Sequence, residues 1–130
     1  MAGELVPLVL LPRYTTLAGV DYQWPYPYLT TVAIGVTQYE RAIVTIWRGP
    51  VVGTSPVFKL LFQESMDRDF WDECNTLPAQ DPSGEDPGAD TQAQYVVELR
   101  ARWLRVRILL GDSDNVVNCW ATGFLEVRST

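Results

Sequence analysis

The chain has 130 residues, 47% of them hydrophobic and 20% charged, and its 16 acidic against 10 basic side chains leave a net charge of −6. That length fits one domain able to bury roughly two-thirds of its unfolded surface without metal or disulfide staples, and that composition suits a chain folded throughout. The negative field opposes phosphate backbones, so nucleic acid is not an expected partner, and the sequence has no histidine, the usual general base and commonest metal ligand.

The first element is apolar, Leu5 to Leu11, but it lacks a positive lead-in, is interrupted by Pro7 and Pro12, and has no small-residue cleavage site before Arg13. It is read as mature protein rather than a secretion signal. Its prolines remove ladder donors and suit an edge strand or an extended arm, which assigns residues 1–14 to an arm or edge strand and 15–130 to the folded domain. Leu5, Val6, Leu8 and Leu10 are the arm's candidate partner contacts. An irregular stretch follows at Asp21 to Tyr28, where Trp24, Tyr26 and Tyr28 are separated by prolines.

From there the periodicity is two, with Val, Ile, Thr, Leu and aromatics enriched. Ala42 to Trp47 alternates, and Val57 to Phe62 follows after a turn carrying Gly49, Pro50, Gly53 and Pro56, so the two read as neighbouring antiparallel strands. Leu77 to Asp90 is a long acidic loop rich in Pro and Gly. Gln94 to Leu99 is a further strand, and the clearest runs from Ala101 to Leu110: Leu104, Val106, Ile108 and Leu110 point one way, Trp103, Arg105 and Arg107 the other. A turn over Gly111 to Asn115 leads to Val116–Ala121 and Phe124–Arg128. Short strands at this spacing, without helical segments between them, predict an all-β, single-domain antiparallel β-sandwich of the jelly-roll kind with eight or nine strands. No stretch approaches the ~18 apolar residues of a membrane span, so no membrane partner is expected.

Motifs for chemistry are missing. Cys74 and Cys119 are far apart with no CxxC, no glycine loop cradles a phosphate, and no GxSxG surrounds a serine. The cysteines read as buried free thiols, with a cross-strand disulfide as the alternative. Glu40, Glu64, Asp67, Asp69, Asp72 and Glu73 could supply a glycosidase pair, but acidic residues in turns are usually solvated. Asp81, Glu85, Asp86 and Asp90 match no EF-hand spacing, and Asp112, Asp114 and Asn115 suit a hairpin turn. No cofactor, metal or catalytic residue is assigned, and the chain is read as non-enzymatic.

The aromatics stand out instead. Trp24, Tyr26 and Tyr28 in a rigid extended stretch suit a sugar-stacking platform or a protein-contact hot spot, and packing over the end of the sandwich is the plainer alternative. Trp103, Arg105 and Arg107 form a stripe opposite the core that suits a ligand or a neighbouring subunit, the plainer alternative being a cross-strand pair of Trp103 with Trp47 or Trp120.

Phe58 to Trp71, reading FKLLFQESMDRDFW, resembles the strand, S-x-D turn and tryptophan of discoidin-like jelly rolls, and ARWLRV over Ala101 to Val106 resembles a later strand of those domains. The likeness implies a jelly roll with Trp71 capping its mouth and ARWLRV in the centre of a sheet; that family's ligand-binding spikes have no counterpart in this sequence. In general style the chain is similar to small virion proteins of tailed bacteriophages. That likeness implies a capsid decoration, or cement, protein that binds and stabilises the lattice of the major capsid protein or another virion protein, as a homo-oligomer with a trimer favoured, made in a host cytoplasm and resident in the virion. The alternative is a carbohydrate-binding β-sandwich module using the aromatic surface.

Overall fold

The computed structural model describes residues 4–19, 28–111 and 113–128. They form ten strands: β1 (Leu5–Ala18), β2 (Leu29–Thr30), β3 (Ile34–Gly35), β4 (Tyr39–Arg48), β5 (Lys59–Ser65), β6 (Asp72–Glu73), β7 (Asn75–Leu77), β8 (Thr91–Glu98), β9 (Trp103–Leu109) and β10 (Val116–Val127). The chain is all-β, as the period-two pattern predicts, with two antiparallel sheets in a sandwich. One sheet has the order β1-β10-β4-β8-β7; the other runs β2-β9-β5-β6, with β3 also pairing β9. Among the described residues no helix is long and apolar enough to cross a membrane.

Alternation decides which side chains fill the space between the sheets. Ala42, Val44 and Ile46 of β4, Tyr95 and Val97 of β8, and Ala121 and Leu125 of β10 face Leu60 and Phe62 of β5 and Leu104, Val106 and Ile108 of β9. Each large side chain sealed here contributes about 1.5–3 kcal/mol relative to exposure. Leu110, also sealed, continues the β9 series as expected.

Two expected arrangements differ. β4 and the 57–62 strand are not neighbours: β4 lies between β10 and β8, whereas β5 pairs β9 and β6 in the opposite sheet. The intervening turn residues carry the chain across the sandwich rather than around a hairpin. The segments 116–121 and 124–128 are one strand, β10, because Gly123 does not break the ladder; it lets β10 lie against the backbone of β4 at Ile43 and Val44.

β1 is the edge strand of the β10 sheet, paired from Leu5↔Glu126 to Ala18↔Val116 with irregularities between Val9 and Thr15. Across the side of the sandwich lies the acidic 78–90 segment. It bonds the backbone of Leu60 through Glu85 in both directions, at 2.7 and 2.9 Å, and the Gln80 amide both accepts from Phe62 N and donates to Phe62 O at 3.0 Å, imitating a strand neighbour. Cys74 and Cys119 are separate buried thiols.

Candidate interaction surfaces

Residues directly opposite in an antiparallel pair share a face, so the outer face of the β9 sheet can be read from its register: Ser65↔Trp103, Gln63↔Arg105, Leu61↔Arg107 and Lys59↔Leu109. Three guanidiniums lie over three rings there. Arg68 stands over Trp103 at 4.6 Å, Arg105 over Trp71 at 4.0 Å, and Arg107 over Tyr28 at 5.0 Å, measured to the ring centroids. Such pairs gain about 0.5–2 kcal/mol according to their exposure.

The turn after β5 positions half of this ladder. Ser65 Oγ accepts from Asp67 N and Arg68 N at 3.2 and 2.7 Å, Asp67 Oδ1 accepts from Asp69 N and Phe70 N at 2.9 and 3.1 Å, and the Trp71 indole donates to Arg68 O at 3.0 Å. Arg68 is held at a φ of 69°, a left-handed conformation that costs a non-glycine residue free energy and is set here by the bonds around it. Gly35 packs against the Trp103 ring from β3. The two segments resembling the discoidin-like pattern thus meet as β5 and its neighbour β9, which sits in the middle of its sheet, and Trp71 lies under Arg105.

Arg105 is half-buried and donates from Nε to Gln63 Oε1 at 2.9 Å. Its pKa is drawn below the ordinary arginine value, chiefly because burial disfavours the cation; Tyr28 acts the other way and the neighbouring Arg107 reinforces the drop. Among the described residues the ion pairs involve Arg41, Arg48 and Arg100, and none involves the ladder's arginines. Tyr28, Lys59, Leu61, Ser83, Arg107 and Leu109 border a cleft of about 190 Å³ at one end of the ladder.

The outer face of the β10 sheet is different in kind. Pro7 of β1, Phe124 of β10, Ile43 of β4, Val96 of β8 and Leu77 of β7 are successive cross-strand partners, so one apolar row crosses the whole sheet. Phe124 is 47% and Leu77 72% exposed, and Leu5 and Val9 extend the apolar surface along β1. Beside the row runs a charged one, in which Arg41 donates to both carboxylate oxygens of Glu126 at 2.9 and 3.0 Å and Asn75 donates to Glu98 at 2.6 Å. Farther along, Trp47 and Trp120 stack at 4.3 Å, Tyr14 meets Trp120 edge-on at 5.1 Å, and Arg13 lies over the same indole.

The structure therefore distributes the expected contact residues as follows. Trp103, Arg105, Arg107 and Tyr28 come together on the β9 sheet. Trp24 and Tyr26 lie outside the described residues. Of the β1 set only Leu5 is on the outer face; Leu8 and Leu10 are sealed in the chain's own core and Val6 packs against it, because β1 alternates like any strand with one covered face. Trp103 pairs with neither Trp47 nor Trp120, which stack on each other in the other sheet. Arg68 and Trp71 complete the ladder, and Pro7, Ile43, Val96, Phe124 and Leu77 make the row.

Six of the carboxylates considered for chemistry have local tasks, and Asp112 lies outside the described residues. Glu64 bonds Arg100 at 2.7 Å, Asp67 organises the turn, Asp86 pairs with Arg48, Asp81 accepts from Ser83, Glu85 accepts from the Tyr95 hydroxyl, and Asp114 accepts from Thr54. Among the described residues no group of three or more His, Cys, Asp or Glu side chains is placed to hold a metal ion. Compared with family models, curated proteins and solved structures, the chain matches none.

Proposed function

We propose that this chain is a non-enzymatic structural protein that docks on other protein subunits through the outer face of its β10 sheet. The observation that carries the reading is the in-register apolar row Pro7–Phe124–Ile43–Val96–Leu77, exposed at Phe124 and Leu77 and bordered by paired charges. An apolar centre with a polar border is the composition of a protein contact. In the setting suggested by the virion-like style of the sequence, the lattice is a capsid, the chain a decoration protein, and the docked unit a homo-oligomer, with a trimer favoured. Many copies bound weakly to a shell stabilise it through multivalency and mass action.

A glycan-stacking module needs open indole faces. Trp103 carries Arg68 and has Gly35 close to its ring, Trp71 carries Arg105, and Trp120 is stacked on Trp47, which favours the protein-docking reading.

Light scattering on the purified chain tests the proposal. The expected result is a closed oligomer that dissociates in Phe124→Glu while the variant keeps its β-sheet circular dichroism. A chain that is monomeric at every concentration, with Phe124→Glu indistinguishable from it, overturns the oligomer and the role of the row together.

A further inference from the structure

We propose that the arginine and aromatic ladder on the outer face of the β9 sheet binds the carboxylate side chains of an acidic protein segment lying along β9. The site is on the sheet opposite the apolar row, so it stands or falls independently of the docking face.

Charge placement is the first argument. The chain carries −6 overall, yet Lys59, Arg68, Arg105 and Arg107, four of its 10 cations, are gathered around this one face. Among the described residues no ion pair engages any of the four. Lys59 feels Asp81 and Asp86 from the 78–90 segment, so Arg105 and Arg107 supply most of the attraction.

Geometry is the second. Arg105 lies over Trp71 with Nε given to Gln63, which orients the fork and leaves its terminal nitrogens for an acceptor. A half-buried guanidinium without a carboxylate has already lost part of its hydration, so an arriving bidentate anion is bound strongly. Arg105 and Arg107 are two residues apart on β9, about 6.4–6.8 Å along the strand, the repeat of alternate side chains in an extended partner. At the end of the ladder the 190 Å³ cleft offers Lys59 and Arg107 beside Leu61 and Leu109. A glutamate fits that chemistry, its carboxylate towards the cations and its methylenes against the leucines.

The third argument separates an acidic polypeptide from a nucleic acid or a sulfated glycan. Single-stranded nucleic acids and sugars use open aromatic faces for stacking, whereas one face of each ring in this ladder carries a guanidinium. The surrounding −6 field also repels a long polyanion more than a short acidic segment.

The test is a tryptophan-fluorescence titration of the whole chain at neutral pH and low salt. Its ligands are a short peptide of alternating glutamate and threonine, the same peptide with glutamine for glutamate, heparin, and oligothymidylate. The glutamate peptide is expected to bind, the glutamine peptide not, and binding to weaken as salt rises. Arg105→Gln with Arg107→Gln is expected to lose at least about tenfold in affinity, while Arg102→Gln, in the exposed turn before β9, binds as the parent does. Should the double variant unfold, Arg105→Lys keeps the charge and the stem but not the fork, and is expected to bind more weakly while folded. Equal binding of both peptides, binding of neither, tighter binding of heparin or oligothymidylate, or a folded Arg105→Lys with parental affinity overturns the proposal.

Discussion

Gly53 and Asn115 are in direct contact, backbone against side chain: a β-carbon at position 53 would overlap Asn115 Oδ1 and lie 2.9 Å from its α-carbon. Asn115 is fully buried and pins three segments. Its side-chain amide donates to Ser55 O at 2.8 Å and to Leu110 O, and its main-chain carbonyl accepts from Gly19 N at 2.7 Å. Asn115→Ala leaves two carbonyls without that donor, and it is expected to cost about 2–4 kcal/mol. Urea unfolding followed by tryptophan fluorescence measures it; a loss below half a unit on that scale would show the amide to be dispensable.

Gly123 makes the corresponding demand on β4. An alanine there would run into the Ile43 carbonyl, a backbone atom that cannot rotate aside. Gly123→Ala is expected to destabilise by about 1–3 kcal/mol or more. A thermal midpoint equal to the parent's would mean that β10 can move off β4 without loss.

Four aspartates set the acid response. Asp67 is held below the ordinary carboxylate value by the Phe70 and Asp69 backbone, Asp81 by Ser83, and Asp114 by Thr54; burial raises Asp86, but its bonds to Arg48 and Gly88 outweigh that and leave it lowered. A group whose folded pKa lies below its unfolded one contributes stability that is present above the unfolded value and lost as pH falls through the folded one. The urea midpoint is therefore expected to be level from about pH 7 to 5 and to fall below about pH 4. Asp86→Asn removes the Arg48 partner and should make that fall shallower; an identical acid limb in the variant would assign the slope elsewhere.

Burial pushes the Cys119 thiol up to about 12, and burial, with Glu64 nearby, pushes Cys74 up as well. Neither supplies much thiolate at pH 8, so an aromatic disulfide reagent is expected to leave the native chain unmodified and to titrate both cysteines in urea. Rapid reaction of either thiol in the native protein would place it at the surface.

The sequence makes some of this architecture legible and hides the rest for a definite reason. Alternation along a strand reports its two faces, so Leu104, Val106 and Ile108 are recognisable as core, with Trp103, Arg105 and Arg107 opposite them. Alternation does not report which strand lies alongside. β4 and β5 are close in sequence and both alternate, yet they belong to different sheets. The apolar row takes one residue from each of five strands and exists only once their register is set. Likewise Arg68 and Trp71 belong to a turn whose Ser65 and Asp67 bonds, unlike their spacing, determine that the two side chains reach β9.

β10 lies between β1 and β4, although it is the last strand of the ten in chain order. During synthesis, then, β1 and β4 wait with unsatisfied edges until Val127 has left the ribosome. A nascent chain stopped short of Val116 has no route to the native sheet, and its two hydrogen-bonding edges remain open to other chains. Folding of this domain is in that sense closed by its last strand, which pairs two earlier ones at once.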